Sequence, residues 1–303
     1  MVKLKNKKSK LRVFTLRKDA ESKINELKKS KVSFFVSRTL SSCKITIPSR
    51  NEAYFKGGKG YTMKEINSQL DLKRKIHKNI IEKQISVPSY TASEIKYSQY
   101  SDYILNQLEL NKKLYDFVEF DITKAYYKVA YNLGYIDEMM YRKYIDLPKH
   151  IRLRFLGSIA TKKRKYSYDK GVMLGDPELI EDKLLRKVWF HICKVTDDCL
   201  SEFMKLTGDS FLMYYVDGIY LRKGNYSKIV KYISDKYKVE FKEERVESIV
   251  REWDKDAKSF KVVIAKWSDK KNTFVDKDFV LRNKCIIGGG YKKVLADNNI
   301  KNN

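Results

Sequence analysis

Asp121 closes the apolar run Phe117-Val118-Glu119-Phe120, and an aromatic-rich segment from Ile122 to Tyr127 follows it at once. Nearly a hundred residues later Asp217 stands within Phe211-Leu212-Met213-Tyr214-Tyr215-Val216-Asp217-Gly218-Ile219-Tyr220-Leu221. The first pattern predicts a strand that carries a carboxylate at its end, and the second a hairpin with a carboxylate at its tip. Two acids at the ends of adjacent strands can hold two divalent cations, as metal-assisted phosphoryl transfer requires. Asp-Gly between alternating apolar residues is also a type I′ hairpin signal, so Asp217 reads equally as turn chemistry.

The charge narrows the class. Sixty-four Lys and Arg against 38 Asp and Glu give +26 over 303 residues. Such an excess attracts polyanions, and counterion release from phosphates drives their binding. Lys dominates, and it grips phosphate as a point charge, which favours backbone binding over base reading. The bland alternatives are solubility and an AT-rich codon bias. With the two carboxylates, the leading reading becomes nucleotide polymerisation by a nucleic-acid-binding protein. Hydrophobic residues make up 43%, enough for a real core in one large or two modest domains. Cys43, Cys193, Cys199 and Cys285 are scattered without a Cys-x-x-Cys pair, which argues against zinc. No secretory segment or long apolar run is present, so the expectation is a soluble protein of a reducing cytoplasm, with no membrane partner.

The elements that must position these residues are legible in part. Residues 1–11 form a Lys-rich arm within a basic N-terminal region, 1–50, which holds a helix near 19–29 and strands near 32–36 and 43–47. Residues 51–116 read as a helical region opened by a glycine loop, with helices over 62–83, capped by Thr62, and over 92–114. Residues 117–275 hold the two acidic motifs. They read as strand 117–122, helices 124–133 and 137–145, and a basic helix over 149–165. A long helix begins at Asp176-Pro177-Glu178 and ends at Gly208. Strands 211–216 and 219–223, a helix at 226–237 and strands near 238–248 and 259–267 follow, and residues 276–303 form a tail.

With these motifs in order, the chain resembles the polymerase part of family B DNA polymerases, closest in style to the protein-primed phage branch. Family motif A, D-x-x-S-L-Y-P, is similar to Asp121-Ile122-Thr123-Lys124-Ala125-Tyr126-Tyr127. The resemblance makes Asp121 a metal-binding aspartate and Tyr126 the residue that packs under the incoming sugar. Motif C, Y-G-D-T-D-S-I-Y, aligns with Met213-Tyr214-Tyr215-Val216-Asp217-Gly218-Ile219-Tyr220, so Asp217 falls on the catalytic aspartate and Tyr215 replaces the other. Motif B keeps only a serine in Leu156-Gly157-Ser158-Ile159-Ala160-Thr161-Lys162, where Leu153 stands in place of its lysine. Lys149, Arg152 and Arg154 are then the cations for a triphosphate, and Lys162 a DNA contact. Tyr54-Phe55-Lys56-Gly57-Gly58 resembles the template-contacting Y-x-G-G segment, and Ala265-Lys266-Trp267 the primer-binding K-x-Y segment.

The resemblance covers about 51–275 and implies an α+β fold: a polymerase-like palm with a small antiparallel sheet, backed by helices, plus a helical fingers element. It implies template-directed nucleotidyl transfer with Mg²⁺ or Mn²⁺ held by Asp121 and Asp217, with DNA, dNTP and replication proteins as partners. Too few residues precede Asp121 for an exonuclease domain, and too few follow Lys266 for a full thumb. Two alternatives stay open: a catalytically degenerate DNA-binding accessory or virion-associated phage protein, and a reverse transcriptase, whose second adjacent aspartate is Gly218 here.

Overall fold

The structure, a computed structural model, describes residues 10–13, 17–39, 43–56, 63–254, 259–269, 271–280, 284–287 and 290–293. The fold is α+β with small, mainly antiparallel sheets, and it divides into two compact units. The first comprises residues 1–74, 157–186 and 288–290; the second comprises 75–156, 187–287 and 291–303.

The first unit is built on a seven-stranded sheet. Strands β1 (Lys10–Val13), β2 (Phe34–Arg38), β3 (Cys43–Ile47) and β4 (Glu52–Lys56) come from the N-terminal segment. They are joined by β8 (Lys163–Asp169), β9 (Val172–Met173) and β10 (Glu178–Ile180) from a later one. Helix α1 (Arg17–Lys29) presents Ala20, Ile24 and Leu27 at helical spacing, all buried, and the last two join Phe34, Val36, Ile45, Ile47 and Tyr54 in one core.

The second unit carries both aspartates. Its five-stranded antiparallel sheet has the order β13-β7-β12-β11-β5, with β5 (Ser98–Tyr100), β7 (Phe117–Ile122), β11 (Phe211–Tyr215), β12 (Gly218–Arg222) and β13 (Phe241–Glu244). Helix α6 (Lys183–Thr207) comes between β7 and β11, and α7 (Ser227–Tyr237) between β12 and β13. Strand β7 thus lies between β12 and β13, the order of a split β-α-β unit. Alternation decides which face does what. Phe120 points to the helical face, 5.9 Å from Phe203 of α6 and 6.1 Å from Tyr226 beside α7. Phe117, Glu119 and Asp121 point the other way. There a second sheet, β6 (Lys113–Leu114), β14 (Val246–Asp254), β15 (Ser259–Ser268) and β16 (Thr273–Val280), packs Ile249, Val262 and Ile264 against Phe117 and Tyr220.

Helices α2 (Met63–Glu82), α3 (Ala125–Asn132) and α4 (Glu138–Ile145) fall where the sequence pattern predicts them, α4 with Asp137 accepting from the Met140 N–H at 2.7 Å. Three expectations are corrected. Residues 92–114 are not one helix: Ser98–Tyr100 pair with β11, and a short π-helix, Tyr103–Gln107, follows. The basic helix stops early, as α5 (Lys149–Gly157), because residues 163–169 alternate and pair with β2. The long helix starts at Lys183 and not at Asp176, since Glu178–Ile180 pair with β8 and Asp182 supplies the cap, accepting from the Leu185 N–H at 3.0 Å. Of the expected Lys-rich arm, residues 1–11, the last two begin β1 and pair with β4, while residues 1–9 and the Thr62 cap lie outside the described residues. Among the described residues no helix is long and apolar enough to cross a membrane.

Candidate active site

Strand register brings the two aspartates together. Asp121 pairs with Gly218, the residue after Asp217, and the Ile122 N–H donates to the Asp217 carbonyl at 2.8 Å. A Cβ built on Gly218 would stand 3.5 Å from Oδ1 of Asp121 and 3.0 Å from Oε1 of Glu119. Gly218 therefore serves as clearance for two carboxylates.

The hairpin tip is not the type I′ turn that Asp-Gly suggests. Tyr215 pairs with Gly218, so the two tip residues are Val216 and Asp217, and of these only Val216 is left-handed, at φ 61°. The Asp217 N–H bonds the Tyr215 carbonyl at 2.8 Å across Val216, closing a γ-turn. A β-branched residue in this region costs about 1–3 kcal/mol and persists where its surroundings over-determine it. Here the Val216 N–H is held by the Tyr97 carbonyl at 2.7 Å and Asp217 by Ile122. The strain fixes the direction in which Asp217 leaves the hairpin.

Both aspartates are half-buried. Burial raises the Asp121 carboxyl, the charge of Asp217 raises it further and Glu119 adds to this, so its pKa is pushed up to about 7. Burial raises Asp217 too, opposed by Lys149, Lys266 and a backbone N–H. The two acids titrate as a pair, with Asp121 keeping its proton up to about pH 7.

Three groups surround the pair. Lys149, at the start of α5, is exposed, and its charge acts on both aspartates. The α5 helix is tied to α3 by the Tyr127 hydroxyl, which donates to the Arg152 carbonyl at 3.2 Å. Lys266, on β15, ion-pairs with Glu119, whose side chain is 1% exposed and also accepts from the Tyr220 hydroxyl at 2.9 Å. Oε2 of Glu119 has no hydrogen-bond partner among the described residues. Burial raises the Glu119 pKa, against the pull of Lys266. Tyr126 lies against Trp189, ring centroids 5.3 Å apart; burial and then the nearby Cys193, Asp217, Asp197 and Tyr215 hold its phenol well above its ordinary value.

The remaining sequence-derived candidates distribute differently. Arg152 and Arg154 follow Lys149 on α5, and Nε of Arg152 is buried without a hydrogen-bond partner among the described residues, beside Tyr127 and Tyr141. Tyr54, Lys56 and Lys162 belong to the first unit. Tyr54 is 7% exposed in its core, with its hydroxyl 3.1 Å from Glu52; the Lys56 backbone pairs with Cys43; Lys162 is 3.0 Å from Glu181. Gly57 and Gly58 lie outside the described residues.

Glu119 is the residue that sequence reasoning missed. The signal was present, because an acid two positions before Asp121 in a strand must share its face. Among the described residues no group of three His, Cys, Asp or Glu side chains is arranged to hold a metal ion. The donors at the open end of the sheet are the two aspartates, with Glu119 occupied by Lys266. No protein-family model matches the chain, and no curated protein matches it.

Proposed function

We propose that the chain is a template-directed nucleotidyltransferase of the family B polymerase kind, with the five-stranded sheet as a palm and Asp121 and Asp217 as its metal-holding pair. The observation that carries this reading is the pair itself: a carboxylate on β7 and one at the adjoining β11–β12 tip, where burial first and then the charge of Asp217 push Asp121 up to about 7. Pure turn chemistry at Asp217 explains neither the strained Val216 nor the hydrogen bond that registers the tip against Asp121.

The residues fit a hard divalent cation. The donors are carboxylate oxygens, and their mutual repulsion is what a cation relieves. Mg²⁺ is commonly bound by one or two carboxylates, with waters and substrate phosphates completing the shell, so a closed three-ligand cage is not required. Bound there, Mg²⁺ or Mn²⁺ supplies activation of a primer 3′-hydroxyl and neutralisation of the transferred phosphoryl group. Lys149 provides positive charge next to the pair for a triphosphate, with Arg152 and Arg154 further along the same helix. Tyr126 gives the floor for the sugar, its ring held by Trp189. The Glu119–Lys266 pair keeps an ammonium beside the aspartates, where a primer phosphate would meet it.

The degenerate DNA-binding reading draws on two features: Lys266 is already engaged by Glu119, and no three-ligand group exists among the described residues. The reverse-transcriptase reading is disfavoured by Gly218, since a side chain there meets Glu119 and Asp121. Primer extension with DNA and RNA templates, in Mg²⁺ and in Mn²⁺, decides among them. Extension on a DNA template, lost in Asp217→Asn, is expected. Salt-sensitive DNA binding without extension makes the chain a binding module.

A further inference from the structure

At the end of β7 and β12 away from the aspartates lies a cavity of about 440 Å³. The register sets the separation: Asp121 pairs with Gly218 at one end and Phe117 with Arg222 at the other, four residues or roughly 13 Å along the strand. The lining includes Tyr103, Lys113, Tyr115, Asp116, Arg222 and Lys223. Lys112 also lines it but is ion-paired with Glu109 at 2.8 Å, so Lys113, Arg222 and Lys223 stand against the single acid Asp116. The Arg222 guanidinium lies over the Tyr103 ring, 4.3 Å from its centroid, and Tyr115 is 51% exposed.

The backbone around this cavity is fixed. Tyr103 opens the π-helix, a form often found at functional sites, whose flanking Asp102 accepts from Asn106 at 2.6 Å and Gln107 at 2.8 Å. The Lys223 N–H donates to the Asp116 carbonyl at 2.8 Å, and the Asn111 N–H to the Arg251 carbonyl at 2.9 Å. Asn111 and Asp116 are both left-handed, at φ 63° and 57°.

We propose that this cavity is a second site, distinct from the aspartate pair, that takes a nucleotide moiety. A planar base extends the Tyr103–Arg222 stack or lies on Tyr115, and its phosphates meet Lys113 and Lys223. Both kinds of contact are required, because lysines alone hold any polyanion, whereas base stacking on Tyr and Arg needs the ring. The volume falls in the range of small-ligand pockets. The moiety comes either as a free mononucleotide or as one residue of a single strand.

The test uses the full chain carrying Asp121→Asn and Asp217→Asn, in EDTA, so that the aspartate site contributes no metal-dependent binding. Titration calorimetry compares a nucleoside triphosphate with inorganic tripolyphosphate. The triphosphate is expected to bind more tightly, and Arg222→Ala, Tyr115→Ala and Lys113→Glu each to weaken it roughly tenfold. Lys228→Glu, the same charge change on exposed α7, is expected to leave it within about twofold. All four replaced side chains are exposed, and unchanged melting confirms the fold. Competition by a single strand of roughly ten nucleotides assigns the moiety to a strand, and its absence assigns it to free nucleotide. Tripolyphosphate binding as well as the nucleotide, or Lys228→Glu weakening binding as much as Lys113→Glu, overturns the proposal.

Discussion

The main-chain N–H of Ile122 donates to the carbonyl of Asp217 at 2.8 Å, so the peptide that follows one acidic residue is bonded to the other acidic residue. The spacing of the two carboxylates is therefore set by backbone, not by side-chain packing, and substitutions at either side chain leave the frame intact.

Asp121→Asn and Asp217→Asn should each abolish divalent-dependent nucleotide incorporation by several orders of magnitude. Each should also stabilise the metal-free protein, by roughly 1 kcal/mol, because the repulsion between the acids disappears. Thermal melting in EDTA beside primer extension checks both. An active Asp217→Asn protein, or one that unfolds, sinks the metal-pair reading.

The raised Asp121 pKa has a signed consequence. The folded state holds its proton up to about pH 7, whereas the unfolded chain releases it near pH 4, so between these values the native state binds more protons. Metal-free stability should fall as pH rises from about 4 to about 7 on account of this group, then level off. Mg²⁺ or Mn²⁺ must displace the proton, so their stabilising effect on melting should grow across the same window and be small at pH 5. A shift in melting temperature with Mn²⁺ that is equal at pH 5 and pH 8 contradicts this.

Gly218→Asp restores the second adjacent aspartate that a reverse transcriptase carries. Its Cβ meets Glu119 Oε1 at 3.0 Å, and its charge joins three acids already crowded together. We expect a loss of about 2 kcal/mol or more and reduced incorporation on either template. A stable variant with improved RNA-templated synthesis returns the reverse-transcriptase alternative to the front.

Lys266→Met leaves Glu119 buried with its cation gone and should cost about 3 kcal/mol near neutral pH. Glu119→Gln combined with Lys266→Met removes both charges and should recover most of that loss. A double-mutant melting cycle reads the difference. If the double variant retains stability but loses primer binding, Lys266 contributes its charge to the nucleic acid as well as to the fold.

Sequence alone determined the features that depend on local period and local chemistry. The alternation around Asp121 and Asp217 marked both strands, and the 3.6-residue spacing marked α1, α2, α4 and α6. The two aspartates, and with them the chemistry to look for, were legible because acids interrupting apolar strands are conspicuous. Tertiary structure decided the rest, through partners distant in the chain. Residues 98–100 and 163–165 left their predicted helices because strands more than a hundred residues away offered ladder bonds that local propensity does not record. The same holds for the site. Tyr54 looked like a DNA contact and is a core residue, Gly218 looked like a turn residue and is clearance for two acids, and Glu119 became a site residue only when β15 brought Lys266 to it. A side chain's role rests on what faces it, and in a sheet of mixed chain order that is set by register, which no single segment contains.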